Sequence, residues 1–116
     1  KIIYGLTKKG RKALAAWVYS ASKTQVAKDE LLVKLYNLSS DNAAHLAGEI
    51  TARRDEMMRR LYLYETIRRR HYQDPALLPT RRKGVYLALA AGIRQGEQFL
   101  AWCDEALALL ATVDEA

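Results

Sequence analysis

The sequence predicts an all-α protein: short helices lead into a long antiparallel helical hairpin, which pairs with a second copy into a helical bundle. Three observations carry that prediction. Alanine, leucine, arginine and glutamate, all good helix formers, dominate most of the 116 residues. Both prolines, Pro75 and Pro79, fall in one short stretch between two long periodic segments. The second of those segments carries two adjacent apolar seams rather than one, more than a single neighbouring helix covers.

Residues 1–6, Lys1-Ile2-Ile3-Tyr4-Gly5-Leu6, are the exception to helix. They are β-rich and too short to stand alone, so they read as one strand of a sheet whose other strands lie outside this sequence. The absence of an initial Met agrees with a fragment or a processed product. Thr7 then offers an N-cap for a helix from Lys8 to Val18, with Leu14, Trp17 and Val18 on one face. The polar stretch Ser20 to Thr24 ends it. A second helix is expected over Lys28–Asn37, burying Leu31, Leu32, Leu35 and Leu38. Ser39-Ser40-Asp41 supplies a break and the next N-cap.

The third helix is expected from Asp41 to His71. Steps of four and three select Ala43, Ala47, Ile50, Arg54, Met57, Leu61, Tyr64 and Arg68. The two arginines predict a seam that is partly open or faces carboxylates. The fourth helix has one row at Tyr86, Leu89, Ile93, Gly96, Leu100, Cys103, Leu107 and Leu110. A second row runs through Val85, Ala88, Gly92, Gln95, Phe99, Trp102, Ala106, Leu109 and Val113. Gly92 and Gly96 sit on this broad face, where a helix or a large side chain is expected to approach closely; the alternatives are a bend or a bulky core neighbour. Two helices alone cannot bury two seams, so a homodimer about a two-fold axis is the simplest solution. The residues expected at its interface are Tyr86, Leu89, Gly92, Ile93, Gly96, Phe99, Leu100, Cys103 and Leu107, with Ile50, Met57 and Leu61 from the third helix.

Composition narrows the function classes. His45 and His71 are far apart and Cys103 is the only cysteine, so no metal-ligand spacing exists and no internal disulfide forms. The lone cysteine suits a reducing cytoplasm and reads as a small core residue. No phosphate-binding glycine motif appears, and no nucleophile–base pairing is evident. No catalytic residue, cofactor or metal is expected, nor any membrane association. One enzyme class is open on these residues: a small helical mutase using Arg53, Arg54, Arg60 and Glu56 to hold a dianionic substrate. The competing reading pairs these residues on the surface, as Glu49–Arg53 and Glu56–Arg60. A stand-alone helical adaptor is the third class.

The formal net charge is +6. Residues 1–40 hold eight Lys or Arg against two acids, residues 41–80 seven against six, and residues 81–116 four against five. The excess therefore sits at the N-terminal end. Lys8, Lys9, Arg11 and Lys12 open the first helix, where cations oppose the helix dipole and a phosphate partner would compensate. Arg81, Arg82 and Lys83 open the fourth helix in the same unfavourable way.

The passage Tyr4-Gly5-Leu6-Thr7-Lys8-Lys9-Gly10-Arg11-Lys12-Ala13-Leu14-Ala15-Ala16-Trp17 resembles the Y-x-L-T-x-x-G-R-x-A-L-x-x-W passage of PadR-type transcriptional regulators. Asp29-Glu30-Leu31-Leu32-Val33-Lys34-Leu35 is similar to that family's D-E-L-L-x-K-L helix. The resemblance implies that residues 1–7 are the remnant of a winged-helix wing and residues 8–116 the C-terminal helical domain. It implies the longer subfamily, whose C-terminal domain is like that of virulence-gene activators. DNA would be bound through the N-terminal winged helix, with Lys8, Lys9, Arg11 and Lys12 near its phosphates. The resemblance also implies a small aromatic effector, for which Trp17, Phe99 and Trp102 are the candidate lining.

Overall fold

The computed structural model describes residues 7–22 and 29–114. Its helices are α1 (Lys8–Val18), α2 (Glu30–Leu35), α3 (Ala43–His71) and α4 (Thr80–Leu110). No strand occurs among the described residues. The strand expected over residues 1–6 lies outside them. The long hairpin is as expected: α3 and α4 pack side by side, antiparallel, and a single 3₁₀ turn at Pro75–Leu77 joins them.

α1 starts where its cap predicts. Thr7 Oγ1 accepts the Gly10 N–H at 3.0 Å, satisfying one of the free donors of the first turn. α1 makes no contact with the other helices among the described residues. Leu14, Trp17 and Val18 consequently remain 48%, 70% and 64% exposed.

α2 is shorter than the apolar pattern predicts. Asp29 is its N-cap and accepts the Leu31 N–H at 3.0 Å. After Leu35 the chain tightens, with Asn37 N–H donating to the Lys34 carbonyl and Leu38 N–H to the Leu35 carbonyl. These i→i+3 bonds turn the segment out of the helix. Only Leu31 is fully buried and Leu35 partly so, whereas Leu32 and Leu38 are exposed. The four-leucine buried face expected from spacing is therefore a two-leucine face.

The cap of α3 falls one residue past the expected Asp41, and the helix begins at Ala43. Asn42 occupies the cap position without bonding the helix amides. Its side chain instead accepts the Ser39 N–H at 2.8 Å and donates to the Asn37 carbonyl at 3.0 Å. Asn42 thus pins the connection that brings α2 against the hairpin. At the other end, Arg82 lies 4.9 Å over the Tyr72 ring and donates to the His71 carbonyl at 3.4 Å. That cation opposes the dipole of its own helix but serves the free carbonyls that end α3.

The core has one main cluster, at the open end of the hairpin. Leu31, Leu46, Ile50, Cys103 and Leu110 are buried together, with Leu35, Phe99, Trp102 and Ala106 packed around them. Leu46 is a core residue that the step pattern through Ala43 and Ala47 passes over. Further along, Gly96 of α4 meets Leu61 of α3, and Ile93 is buried one turn away. A Cβ on Gly96 would stand 2.7 Å from Leu61 Cδ2 and 2.9 Å from Met57 Sδ, so glycine admits those side chains. Gly92 has only Tyr64 Cε2 within reach, at 3.9 Å. The close approach expected for both glycines therefore holds at Gly96 alone.

Candidate interaction surface

The two apolar rows of α4 have different neighbours. Ile93, Gly96, Cys103 and Leu110 of the first row are buried against α3 within the single chain. Five residues expected at a dimer interface, Ile50, Leu61, Ile93, Gly96 and Cys103, are thus part of the hairpin's own core. Burial pushes the Cys103 thiol up from its ordinary value. Tyr86, Leu89, Gly92, Phe99, Leu100, Leu107 and Met57 are half-buried and keep part of their surface outward.

The second row has a cover over part of its length. α2 lies across its C-terminal stretch, where Leu31 and Leu35 pack with Phe99 and Trp102. An ion pair fixes α2 there: Arg53 Nη1 donates to Asp29 Oδ2 at 2.6 Å. The Arg53 guanidinium holds the Asp29 carboxyl below the usual carboxylate range, reinforced by the Leu31 N–H and opposed by partial desolvation. Lys34 adds a second tie, to Glu49 at 3.2 Å. Toward the hairpin tip the row continues through Gln95, Ala88 and Val85, all exposed, with Val85 at 49%. Among the described residues only Tyr64 lies against that stretch, at the half-buried Gly92.

The opposite face of the hairpin is polar. Arg54 Nε donates to Asp104 Oδ1 at 2.8 Å. This is the seam arginine facing a carboxylate that the sequence predicts. Arg53 and Arg54 therefore reach different partners, Asp29 at the start of α2 and Asp104 of α4. Arg60 pairs with Glu56 at 2.8 Å, and Arg53 also reaches Glu49 at 3.9 Å. Of the residues expected in a mutase site, Arg53, Glu56 and Arg60 line one open groove with Met57 and Phe99, Arg54 turns away to Asp104, and the surface pairs expected in the competing reading are present.

Phe99 and Trp102 stack with ring centroids 5.9 Å apart. Trp17 does not join them, because it stands on α1, which touches neither α3 nor α4 among the described residues. The three-aromatic lining expected for an effector pocket is therefore not assembled. Lys8, Lys9, Arg11 and Lys12 are all exposed on α1. No helix of the described residues is long and apolar enough to cross a membrane.

A long helical hairpin with a short helix clamped across one face defines the class: a helical C-terminal domain of the kind found in virulence-activator-like transcriptional regulators. The chain belongs to the family described as virulence activator alpha, C-terminal, whose model matches residues 27–111. It is 30% identical over 115 residues to a probable transcriptional regulator of Mycobacterium tuberculosis, covering 90% of this chain and 61% of that protein. Its structure is similar to that of the Vibrio cholerae virulence activator AphA, with a TM-score of 0.81 and 26% identity over 90% of this chain and 62% of that one. The chain thus spans about three fifths of the relatives it matches.

Proposed function

We propose that the chain is the C-terminal pairing domain of a PadR-type transcriptional regulator, which binds DNA through a winged helix preceding it. The family membership and the regulator relatives support the general reading. The motifs around Thr7 and Asp29 support the PadR assignment. Lys8, Lys9, Arg11 and Lys12 are exposed at the end of the domain nearest that winged helix in sequence, which suits a place beside DNA phosphates. The mechanism is geometric: pairing of two hairpins sets the distance and angle between two winged helices, and hence the half-site spacing they read. Any effector role rests on Phe99 and Trp102 without Trp17.

The observation that carries pairing is the uncovered stretch of the second α4 row, Val85–Ala88–Gln95. It is continuous in the row with the stretch at Phe99 and Trp102 that packs on the core beside α2. An isolated domain gains nothing from presenting such a row to water, whereas a two-fold partner buries it twice. Two exposed alanines on opposite faces test this. Ala88→Glu places a charge on the apolar row and Ala101→Glu places one on the polar face. Both should fold. In sedimentation equilibrium, Ala88→Glu should convert a two-chain species to single chains while Ala101→Glu stays paired. The reverse pattern would assign pairing to the other face.

A further inference from the structure

The tip of the hairpin gathers more cations than its acids neutralise. Arg68, Arg69, Arg70 and His71 end α3, and Arg81, Arg82 and Lys83 begin α4. Over residues 65–86 six Lys or Arg stand against only Glu65 and Asp74, a net +4. The cluster straddles residue 80, so neither the middle nor the last third of the chain shows it. Arg68 pairs with Glu65 at 2.6 Å. Arg69, Arg70, Arg81, Arg82 and Lys83 form no ion pair among the described residues, and all five are exposed.

Folding alone does not favour this arrangement. Packed helices lie about 8–10 Å apart, so cations on the two helix ends stand within about one screening length of each other, roughly 8 Å at physiological salt. The negative end of α3 and the positive end of α4 meet at the tip, so the two dipoles offset each other rather than the side chains. Arg82 has a structural task, over the Tyr72 ring and on the His71 carbonyl. Arg69 has only a long bond to the Thr66 hydroxyl, at 3.4 Å. Arg70, Arg81 and Lys83 have no side-chain hydrogen bond among the described residues.

We propose that the hairpin tip is a second nucleic-acid contact, which holds the phosphate backbone of duplex DNA independently of the winged helix and of α1. Five of the six tip cations are arginines, whose planar fork of donors matches phosphate oxygens. Beside them Arg68, Arg69, Tyr72, Gln73, Pro75 and Tyr86 line one shallow groove, which adds phenol and amide donors. Two helices side by side present a front about 20 Å wide. Duplex DNA carries one charge per about 1.7 Å of its axis, so the unpaired cations can meet separate phosphates at once. Such a contact adds affinity without reading sequence. α2, through which α1 joins the hairpin, packs at the opposite end. A helix of 29 residues is about 43 Å long, so the tip touches DNA about a dozen base pairs from that end. A lipid surface fits less well, because Leu77 is the only large apolar side chain exposed in the connection between α3 and α4, and interfacial binding needs a broad apolar face beside the cations.

The test uses the whole chain with α1 neutralised by Lys8→Gln, Lys9→Gln, Arg11→Gln and Lys12→Gln, so that the tip is the remaining basic cluster. Binding of a random-sequence duplex of about 30 base pairs is followed by fluorescence anisotropy from roughly 50 to 200 mM salt. The logarithm of the binding constant should fall against that of salt with a slope of about −3 to −4, as for four phosphate contacts. Adding Arg69→Gln, Arg70→Gln, Arg81→Gln and Lys83→Gln should weaken binding at least about tenfold and remove most of the slope. Arg70→Gln with Lys83→Gln alone should remove about half of it, which keeps the test open if four changes disturb folding. Unchanged affinity and slope in the tip variants overturn the proposal while leaving the regulator and pairing readings intact.

A photo-crosslinker on the exposed tip residue in Ala76→Cys should capture the duplex, and one on the polar face in Ala101→Cys should not; the fully buried Cys103 does not compete for the reagent. Capture only from Ala101→Cys overturns the proposal. DNA binding lost only together with self-association, read by sedimentation, would give the tip to a partner chain and overturn it too. So would tip-dependent co-sedimentation with phosphatidylglycerol vesicles alongside tip-independent DNA binding.

Discussion

Gly92 and Gly96 lie one helical turn apart on the same helix, yet alanine at the two positions should act in opposite directions. Alanine in a helix interior is favoured over glycine by about 1 kcal/mol. At Gly92 a new Cβ meets only Tyr64 Cε2 at 3.9 Å, an ordinary contact. Gly92→Ala should therefore stabilise by about 0.5–1 kcal/mol. At Gly96 the new Cβ would stand 2.7 Å from Leu61 Cδ2, 2.9 Å from Met57 Sδ and 3.1 Å from Leu61 Cγ. Carbon–carbon contacts settle near 3.5–4.0 Å, so Leu61 must retreat by about 1 Å inside a packed seam. Overpacking of that kind costs about 1–3 kcal/mol, which outweighs or cancels the propensity gain. The two variants should differ by about 1–3 kcal/mol, or roughly 4–12 °C in midpoint for a domain of this size.

The assay is thermal and urea unfolding followed by far-ultraviolet circular dichroism at one chain concentration, because the proposed pairing would make the midpoint depend on concentration. A background of Leu61→Ala sharpens it. That change alone costs about 2–4 kcal/mol and removes two of the three obstructing atoms, leaving Met57 Sδ, the end of a flexible side chain that can move into the space vacated. Gly96→Ala should then cease to be harmful, a coupling between neighbours that independent sites do not show. The reasoning fails if Gly96→Ala is as stable as Gly92→Ala in the natural background.

Three further outcomes follow from the structure. Asp29→Asn keeps an N-capping side chain on α2 but loses the charge pair with Arg53, so it should cost about 0.5–1 kcal/mol, and Asp29→Ala about 1 kcal/mol more, by urea unfolding. The Asp29 carboxyl is held below its unfolded value near 3.9, so its stabilisation is complete above about pH 4 and is lost as pH falls through the lowered folded value; an acid titration of Asp29→Asn should lack that component, and an unchanged titration would contradict it. Cys103 is fully buried with its thiol pushed up by burial, so an aromatic disulfide reagent should modify it only as fast as the hairpin opens; immediate stoichiometric reaction of the folded chain would place Cys103 outside the core. Arg82→Ala should loosen the tip by about 1 kcal/mol by removing the cap on α3 and the contact over Tyr72, read as faster amide exchange at the end of α3; unchanged exchange there would show that Arg82 does not hold it.

The parts of the fold legible in the sequence are those whose causes are local. Thr7 marks the start of α1 because its side chain bonds an amide three residues away. Pro75 and Pro79 mark the hairpin loop because neither can continue the preceding helix. Periodicity found both rows of α4 but could not say which row serves its own chain, since a seam looks the same whichever helix covers it. Hence Ile93, Gly96 and Cys103 were expected at a partner and belong to the hairpin core, while Ala88 and Gln95 lie uncovered. The retreat of α2 to Leu35 depends on Asn42 holding the carbonyl of Asn37, a contact that no spacing rule contains. The grouping of Trp17 with Phe99 and Trp102 rests on the resemblance, which contains no helix contacts, and α1 keeps Trp17 apart.

The central claim is that this domain exists to bring two chains together. Sedimentation equilibrium of the unmutated chain over roughly 1–100 μM, the range in which specific pairs of modest affinity come apart, tests it most directly. The account predicts a species of twice the 13.2 kDa chain mass, dissociating on dilution as a single two-chain equilibrium. A mass of one chain throughout that range, with the helices intact by circular dichroism, would contradict it.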